Sequence, residues 1–429
     1  MKTFYASVEC AERHLNPFET DLVVADVSRG KNALCLAISP HMKARGIKNR
    51  CRLSDIPKNV QYEIAPPRMQ LYIEYAADIY AMYLDYFAPE DIYVYSIDES
   101  FIDVTDYLKI YKTEPIPFAR KLINEIADKI HIPSTAGIGT NLYLAKIALD
   151  ITAKHAPDHI GYLDEEKFKE TLWRHKPITD FWGISSGTER RLSSIGIYTM
   201  EGIAKVPEAA LYKKFGKNAE LLIDHAWGRE PCLIEDIKSH KSKSKSVSFS
   251  QILPRDYSVA EARTVITEMV YHGCEDMMKR QVITHKVGIF TGYGGDFAFG
   301  GDGGSVTMSE TTNLPSIILP YVLKLFDSIT SPIVPIRQLG ISFENVCDEG
   351  CEGYTFFTDW HEVEREKARE QAILSIRARH GKNAVMRGVD YLAESTQIDR
   401  NTFIGGHRAG YGDMPEDRNR RNQEKEFEL

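Results

Sequence analysis

Tyr93-Val94-Tyr95-Ser96-Ile97-Asp98-Glu99-Ser100-Phe101-Ile102-Asp103-Val104 sets two adjacent carboxylates in a run of aromatic and β-branched residues. That composition predicts two short strands joined by a tight turn. A turn holding Asp98 and Glu99 at the strand ends presents both carboxylates on one side, a seat for hard cations such as Mg²⁺. A solvated acidic hairpin tip is the plain alternative. Apolar strands on both sides of the pair weigh against it.

Around the hairpin the chain alternates short elements. Strands are predicted at Thr3–Val8, Leu22–Asp26 and Ala33–Ala37, and a short helix at Pro40–Arg45. A longer helix runs over 67–87, with Leu71, Tyr75, Ile79 and Tyr83 spaced for one buried stripe. After the hairpin come a helix at Phe118–Lys129, a strand at Thr135–Gly139 and a helix at Leu142–Lys154. This order predicts an α+β sheet with helices on one face.

Residues Leu172 to Cys232 read as helical, broken at Gly183, Gly187, Gly196 and Gly202. The basic, low-complexity stretch 238–246 reads as a linker that does not pack. A further α+β domain follows over 247–346, with helices at Ser258–Lys279 and Ser316–Ser328. The glycine-rich stretch from Gly292 to Gly304 holds no Gly-Lys-Ser/Thr and carries acidic charges. It reads as a flexible hairpin connection, not a phosphate loop. One helix is expected at His361–His380, and the last twenty residues read as disordered.

At 429 residues the chain exceeds what one core usually covers, so several domains are expected. No run is apolar enough to span a bilayer and no secretory signal pattern opens the chain, which points to the cytoplasm and to no membrane partner. Seven scattered cysteines, an odd number, suit free thiols in a reducing compartment. Only Cys347 and Cys351 lie close together, which disfavours a zinc site. The net charge of −8 hides an uneven distribution: Leu172 to Ser246 holds 13 Lys and Arg against 9 Asp and Glu. A basic middle in an acidic whole suits phosphate contact on one surface, though a solvated mixed surface fits the charge equally.

Met1-Lys2-Thr3-Phe4-Tyr5-Ala6-Ser7-Val8-Glu9-Cys10, followed at this spacing by the Asp98-Glu99 hairpin, resembles the Y-family translesion DNA polymerases, most closely the UmuC-like branch of bacteria and phages. The resemblance covers nearly the whole chain. It implies a right-hand-like α+β multidomain polymerase: palm and fingers over 1–166, a helical thumb over 167–237, a linker over 238–246, a little finger over 247–346 and a tail over 347–429. It also implies two Mg²⁺ ions on Asp98 and Glu99, the catalytic pair. Nucleotidyl transfer needs one ion at the primer hydroxyl and one at the leaving triphosphate.

In that family a first-strand aspartate shares the metal ions. It lies five residues before the position of Tyr5, and here that place falls just before Met1. A start assigned a few residues late and a loss of catalysis are the two readings. The first is preferred because the other site residues are intact. Tyr5 matches the steric gate under the incoming sugar, with Phe4 beside it as a second substrate-side candidate that strand alternation turns toward the core.

Ser39-Pro40-His41-Met42-Lys43-Ala44-Arg45-Gly46-Ile47 resembles the triphosphate-binding helix. Lys43 would be the point charge, and Pro40 would leave first-turn N–H groups free for an anion. Asn141 to Lys154 resembles the palm helix that ends in a second triphosphate lysine, Lys154. Lys146, two turns earlier, is assigned to the surface or the DNA backbone. Phe181-Trp182-Gly183-Ile184-Ser185-Ser186-Gly187-Thr188-Glu189-Arg190-Arg191-Leu192 resembles a helix-hairpin-helix. Gly183 and Gly187 would admit a DNA phosphate while Arg190 and Arg191 add charge, and Lys241, Lys243 and Lys245 of the linker extend the DNA-binding set.

Gly353-Tyr354-Thr355-Phe356-Phe357 lies where relatives carry a sliding-clamp peptide, without its glutamine, so Phe356 and Phe357 are the clamp candidates. Asn383 and Ile404-Gly405-Gly406-His407 also look typical of this branch, with no mechanism attached. The expected activity is low-fidelity, template-directed DNA synthesis past damaged bases, in repair and SOS-type damage tolerance. Primer-template DNA and dNTPs are the partners. The competing reading is an inactive relative that binds DNA or the clamp and regulates other polymerases. A helix-hairpin-helix nuclease would leave the Tyr5 motif unexplained.

Overall fold

The computed structural model describes residues 1–30, 32–240, 246–295, 300–356 and 358–410. Lys241, Lys243, Lys245 and Phe357, and the tail expected to be disordered, lie outside the described residues. Contacts divide the chain into two units, one of 1–240 and 407–429, the other of 241–406. The chain therefore leaves the first unit at His240 and returns to it at His407.

The first unit opens on a helix, α1 (Phe4–Glu12), where a strand was expected over Thr3–Val8. Thr3, with φ 42°, turns the chain into it. Phe4, Ala6, Ser7, Val8, Glu9 and Cys10 are all buried, so no polar face betrays a period of 3.6. Strands β1 (Leu22–Ala25), β2 (Cys35–Ile38) and β3 (Glu63–Ala65) form a small sheet in the order β2-β1-β3. Val23, Ala25, Cys35, Ile38 and Met42 pack a core there, Met42 coming from α2 (Pro40–Ala44).

Helix α3 (Met69–Leu84) buries Leu71, Tyr72 and Ile79. The hairpin follows as β4 (Ile92–Ser96) and β5 (Glu99–Ile102). After α4 (Thr105–Tyr111), the amphipathic α5 (Pro115–Ile130) buries Phe118 and Ile126. Then β6 (Ala136–Gly139) pairs in parallel with β7 (Ile160–Leu163). Between them runs α6 (Leu142–Ile147), a five-residue π-helical stretch over Ala148–Thr152, and α7 (Ala153–His155). The two strand pairs are separate ladders, not one sheet. At their facing ends the Met1 amino group donates to the Asp98 carbonyl at 2.7 Å, and Lys2 N–H to the Pro133 carbonyl at 2.9 Å.

Beyond β7 the unit is helical: α8 (Glu165–Leu172), α9 (Ser186–Ser193), α10 (Met200–Lys205), α11 (Glu208–Phe215), α12 (Asn218–Ala226) and α13 (Ile234–Ser239). One core joins Tyr143, Leu144 and Phe168 to Phe181, Leu192 and Leu211. The expected linker does not begin as loose chain. Lys238 lies in α13 and donates from Nζ to the Pro89 and Glu90 carbonyls, and Ser246 already starts a strand.

In the second unit β8 (Ser246–Tyr257), β9 (Val282–Tyr293), β10 (Gly301–Thr312) and β11 (Ile336–Glu344) form an antiparallel sheet in the order β10-β9-β11-β8. Helices α14 (Val259–Lys279) and α15 (Pro315–Ile329) share one core with it through Val265, Ile266, Met269, Ile318, Val322 and Phe326. A Ser258/Glu261 capping box fixes the start of α14. Gly301, Gly303 and Gly304 are strand residues paired with Gly292, Phe290 and Ile289, not part of a loose connection. The chain then runs into α16 (Trp360–His380), close to the helix expected there.

Candidate active site

Ile97 and Asp98 form the turn between β4 and β5, and Glu99 opens β5 opposite Ser96. Ser96 Oγ donates to Asp98 Oδ1 at 2.8 Å and sits 3.4 Å from the Asp98 N–H, so the turn fixes its own carboxylate. Glu99 is held from outside the hairpin. Lys146 Nζ lies 2.6 Å from Glu99 Oε2 and 3.3 Å from Asp150.

Lys146 thus corrects the expectation of a surface or DNA-facing lysine. Its side chain is 7% exposed and lies 5.5 Å above the Tyr95 ring. Burial opposes its charge, but Glu99 and Asp150 outweigh it and hold its pKa above the ordinary lysine value. Backbone packing brings it there. A Cβ on Gly137 or Gly139 of β6 would stand 2.2 Å from Ala145 backbone atoms, so α6 lies directly on a bare strand. Asn141 caps α6 by accepting from Leu144 N–H at 2.8 Å. No spacing rule in the sequence announces this contact.

Tyr5, in the first turn of α1, stacks on Tyr72 of α3 at 4.6 Å and 18°. Burial raises its pKa, and the charge of Asp98 raises it further against the opposing pull of Arg50. The Met1 amino group, bound to the Asp98 carbonyl, brings the start of α1 with Tyr5 toward the acidic turn. Phe4 does not join them. It is 3% exposed and belongs to the core, its helical neighbour Tyr5 pointing elsewhere. Behind Tyr5, Glu9 is fully buried and accepts from Arg68 at 2.9 and 2.7 Å, from Tyr72 Oη at 2.7 Å and from Arg13. Burial alone would raise the Glu9 pKa, but these donors bring it below the ordinary carboxylate value.

Lys43 is exposed on α2. The first-turn N–H groups there are taken, contrary to the expected anion cradle: His41 donates to the Pro17 carbonyl and Met42 to Ser39 Oγ. Burial, with the charge of Lys43 second, pulls the Lys2 pKa down, and Lys2 Nζ lies 2.9 Å from His159 Nε2. Lys2 and Arg50 were missed because a lone basic residue at a chain end or in a loop carries no sequence signal. Lys154 is exposed on α7, just past the π-helical stretch.

In the helical region Gly183 adopts φ 86° with nothing within 4 Å of a would-be Cβ, while Gly187 lies inside α9. Arg190 is exposed. Arg191 is engaged within the unit, stacked 4.3 Å from the Phe215 ring centre and donating to the Lys214 carbonyl. In the second unit Phe356 is wholly exposed, and Tyr354 packs edge-on to Trp360. Among the described residues no group of three or more His, Cys, Asp or Glu is placed to hold a metal ion. Asp98 and Glu99 are a hard-oxygen pair of the kind Mg²⁺ prefers. No described helix is long and apolar enough to cross a membrane.

An acidic turn beside a stacked tyrosine, an attached helical region and a separate four-stranded α+β unit are the parts of a right-hand-like polymerase. Among solved structures, a Y-family DNA polymerase chimera superposes with a TM-score of 0.61 over 81% of this chain and 98% of that one, at 20% identity, a likeness of fold. The impB/mucB/samB family pattern matches residues 1–150, and that of the family's C-terminal domain matches 244–355. The chain is 31% identical over 419 residues to the putative UV-damage repair protein UvrX of Bacillus subtilis (strain 168), covering 95% of this chain and 96% of that protein. It is 29% identical over 412 residues to DNA polymerase IV 2 of the same strain, covering 95% and 97%. The chain belongs to the impB/mucB/samB family of Y-family DNA polymerases.

Proposed function

We propose that this chain adds deoxynucleotides to a primer under template direction, opposite damaged bases, at the site built by Asp98, Glu99 and Tyr5. The observation that carries the reading is the approach of the start of the chain to the acidic turn: the Met1 amino group, four residues before the sugar-sized aromatic floor of Tyr5, donates to the Asp98 carbonyl at 2.7 Å. Asp98 and Glu99 are the residues that would hold two Mg²⁺ ions, which supply charge neutralisation at the primer hydroxyl and the leaving triphosphate. Lys146 keeps Glu99 aimed into the site. Lys43 and Lys154 face the triphosphate. The Tyr5 ring, backed by Tyr72, would take up the space that a ribose 2′-hydroxyl needs.

Primer-template DNA is held chiefly through its phosphates, so affinity falls steeply with salt. In the first unit the Gly183 turn and Arg190 supply such contacts. In the second, the sheet face lined by Ser248, Ser250 and Ser305, beside Phe290 and Gln338, offers hydroxyls to the DNA backbone. Exposed Phe356 suits an apolar groove on a sliding clamp. The setting is the cytoplasm, in SOS-type damage tolerance.

The test is primer extension with Mg²⁺ and dNTPs, with the chain as given beside a version carrying an aspartate-containing strand before Met1. Synthesis by either supports the reading. Binding of primer-template without synthesis by both overturns it in favour of a non-catalytic DNA-binding role. In the active form Tyr5→Ala is expected to raise ribonucleotide incorporation by at least about tenfold, because the ring that blocks the 2′-hydroxyl is removed. An unchanged ratio of ribo- to deoxynucleotide use would leave Tyr5 a core residue only.

A further inference from the structure

After His407 the chain lies against the first unit at three points. Arg408 Nε is 3.3 Å from Asp26 Oδ2, and its Nη2 is 3.3 Å from Ser28 Oγ, in the turn that follows β1. The Ala409 carbonyl accepts from Gln70 N–H at 2.9 Å. Gly410, at φ 97°, approaches so closely that a Cβ would stand 2.3 Å from Arg68 Cα. Both the backbone conformation and the space there admit only glycine.

The middle contact has a defined job. A helix start leaves its first N–H groups unpaired, and a cap side chain usually accepts from the second or third. Arg68, the cap residue of α3, makes no such bond, because a guanidinium has no acceptor atom; it donates to Glu9 instead. Ala409 supplies the missing acceptor. Tyr72, two residues on from Gln70, is the ring on which Tyr5 stacks, and its hydroxyl meets the same Glu9.

We propose that Arg408, Ala409 and Gly410 form a positioning strap for nucleotide selection: by capping α3 they hold Tyr72 behind Tyr5 and so set the height of the floor under the incoming sugar. This rests on the reading of Tyr5 as the sugar gate. The strap touches neither substrate nor Asp98 and Glu99, so it acts on nucleotide binding and not on the chemical step. It also gives a use to the stretch around His407, which sequence alone left without one.

The experiment uses the full chain with Gly410→Val, Arg408→Ala and Arg408→Lys, and Tyr5→Ala as the reference for the gate. Gly410→Val and Arg408→Ala are expected to raise KM for dNTP about fivefold, the size of one helix-cap contribution, with kcat within about twofold. They should also lower the preference for deoxynucleotides and speed amide exchange over 69–72. Arg408→Lys should restore most of the effect of Arg408→Ala. Arg408 is about half exposed, so its variants fold even if Gly410→Val does not. Faster exchange with unchanged KM and sugar preference would make the strap merely structural and overturn the proposal, as would unchanged exchange. If Tyr5→Ala leaves sugar preference unaltered, the gate reading falls, and a rise in KM with the strap variants alone decides whether these residues position the nucleotide.

Discussion

Asp98→Ala is expected to reduce primer extension by about 10³-fold or more while leaving primer-template affinity within about twofold. The asymmetry follows from where the carboxylate sits. Ser96 Oγ holds it within the β4–β5 turn, and the phosphate contacts are assigned to other side chains. Removing it deletes a ligand for the cations of the reaction and no contact to the duplex. Extension time courses and fluorescence anisotropy on one preparation separate the two quantities. Residual synthesis comparable to the parent would remove Asp98 from the site, and a matching loss of affinity would recast it as a DNA contact.

Gly139→Ala, like Gly137→Ala, is expected to be among the most damaging single methyls in the first unit. Its Cβ would stand 2.2 Å from Ala145 N and 2.5 Å from Leu144 carbonyl carbon, both backbone atoms that no rotamer change can move. Helix α6 would have to lift off β6. Overpacking of this kind costs about 3 kcal/mol, which lowers the first unfolding transition by roughly 6–12 °C. The lift would also withdraw Lys146 from Glu99, so activity should fall faster than stability. Gly388→Ala is the control, since nothing lies within 4 Å of a Cβ there. Equal melting curves for the two variants would mean that α6 and β6 do not pack as described.

The hairpin was legible because alternating aromatic and β-branched residues and a turn of two carboxylates each point to the same local geometry. The second unit was legible for a similar reason, through the capping box and the i, i+3, i+4 apolar spacing of α14. The opening segment was not. Phe4 through Cys10 are buried on almost every side, and without a polar face neither period is visible, so the strand expected there is a helix. Lys146 was misplaced because its burial depends on the bare backbone of Gly137 and Gly139, which spacing along its own helix does not report. Glycines 301, 303 and 304 read as loop because glycine is common in turns, whereas here a neighbouring strand supplies the order. The contact of Lys2 with His159 arises only from tertiary placement.

The return of the chain to the first unit at His407 has a consequence for how the protein is made. The acceptor for Gln70 N–H lies 339 residues further along the sequence. At ordinary ribosomal speeds that gap lasts on the order of tens of seconds. Throughout this interval the start of α3 waits with an open backbone donor, and the tyrosine stack it carries is assembled but not yet tightened. A polypeptide cut short before Ala409 would carry every proposed catalytic side chain and an unfinished helix start. Its choosiness for sugars, not its capacity for synthesis, would distinguish it from the finished chain.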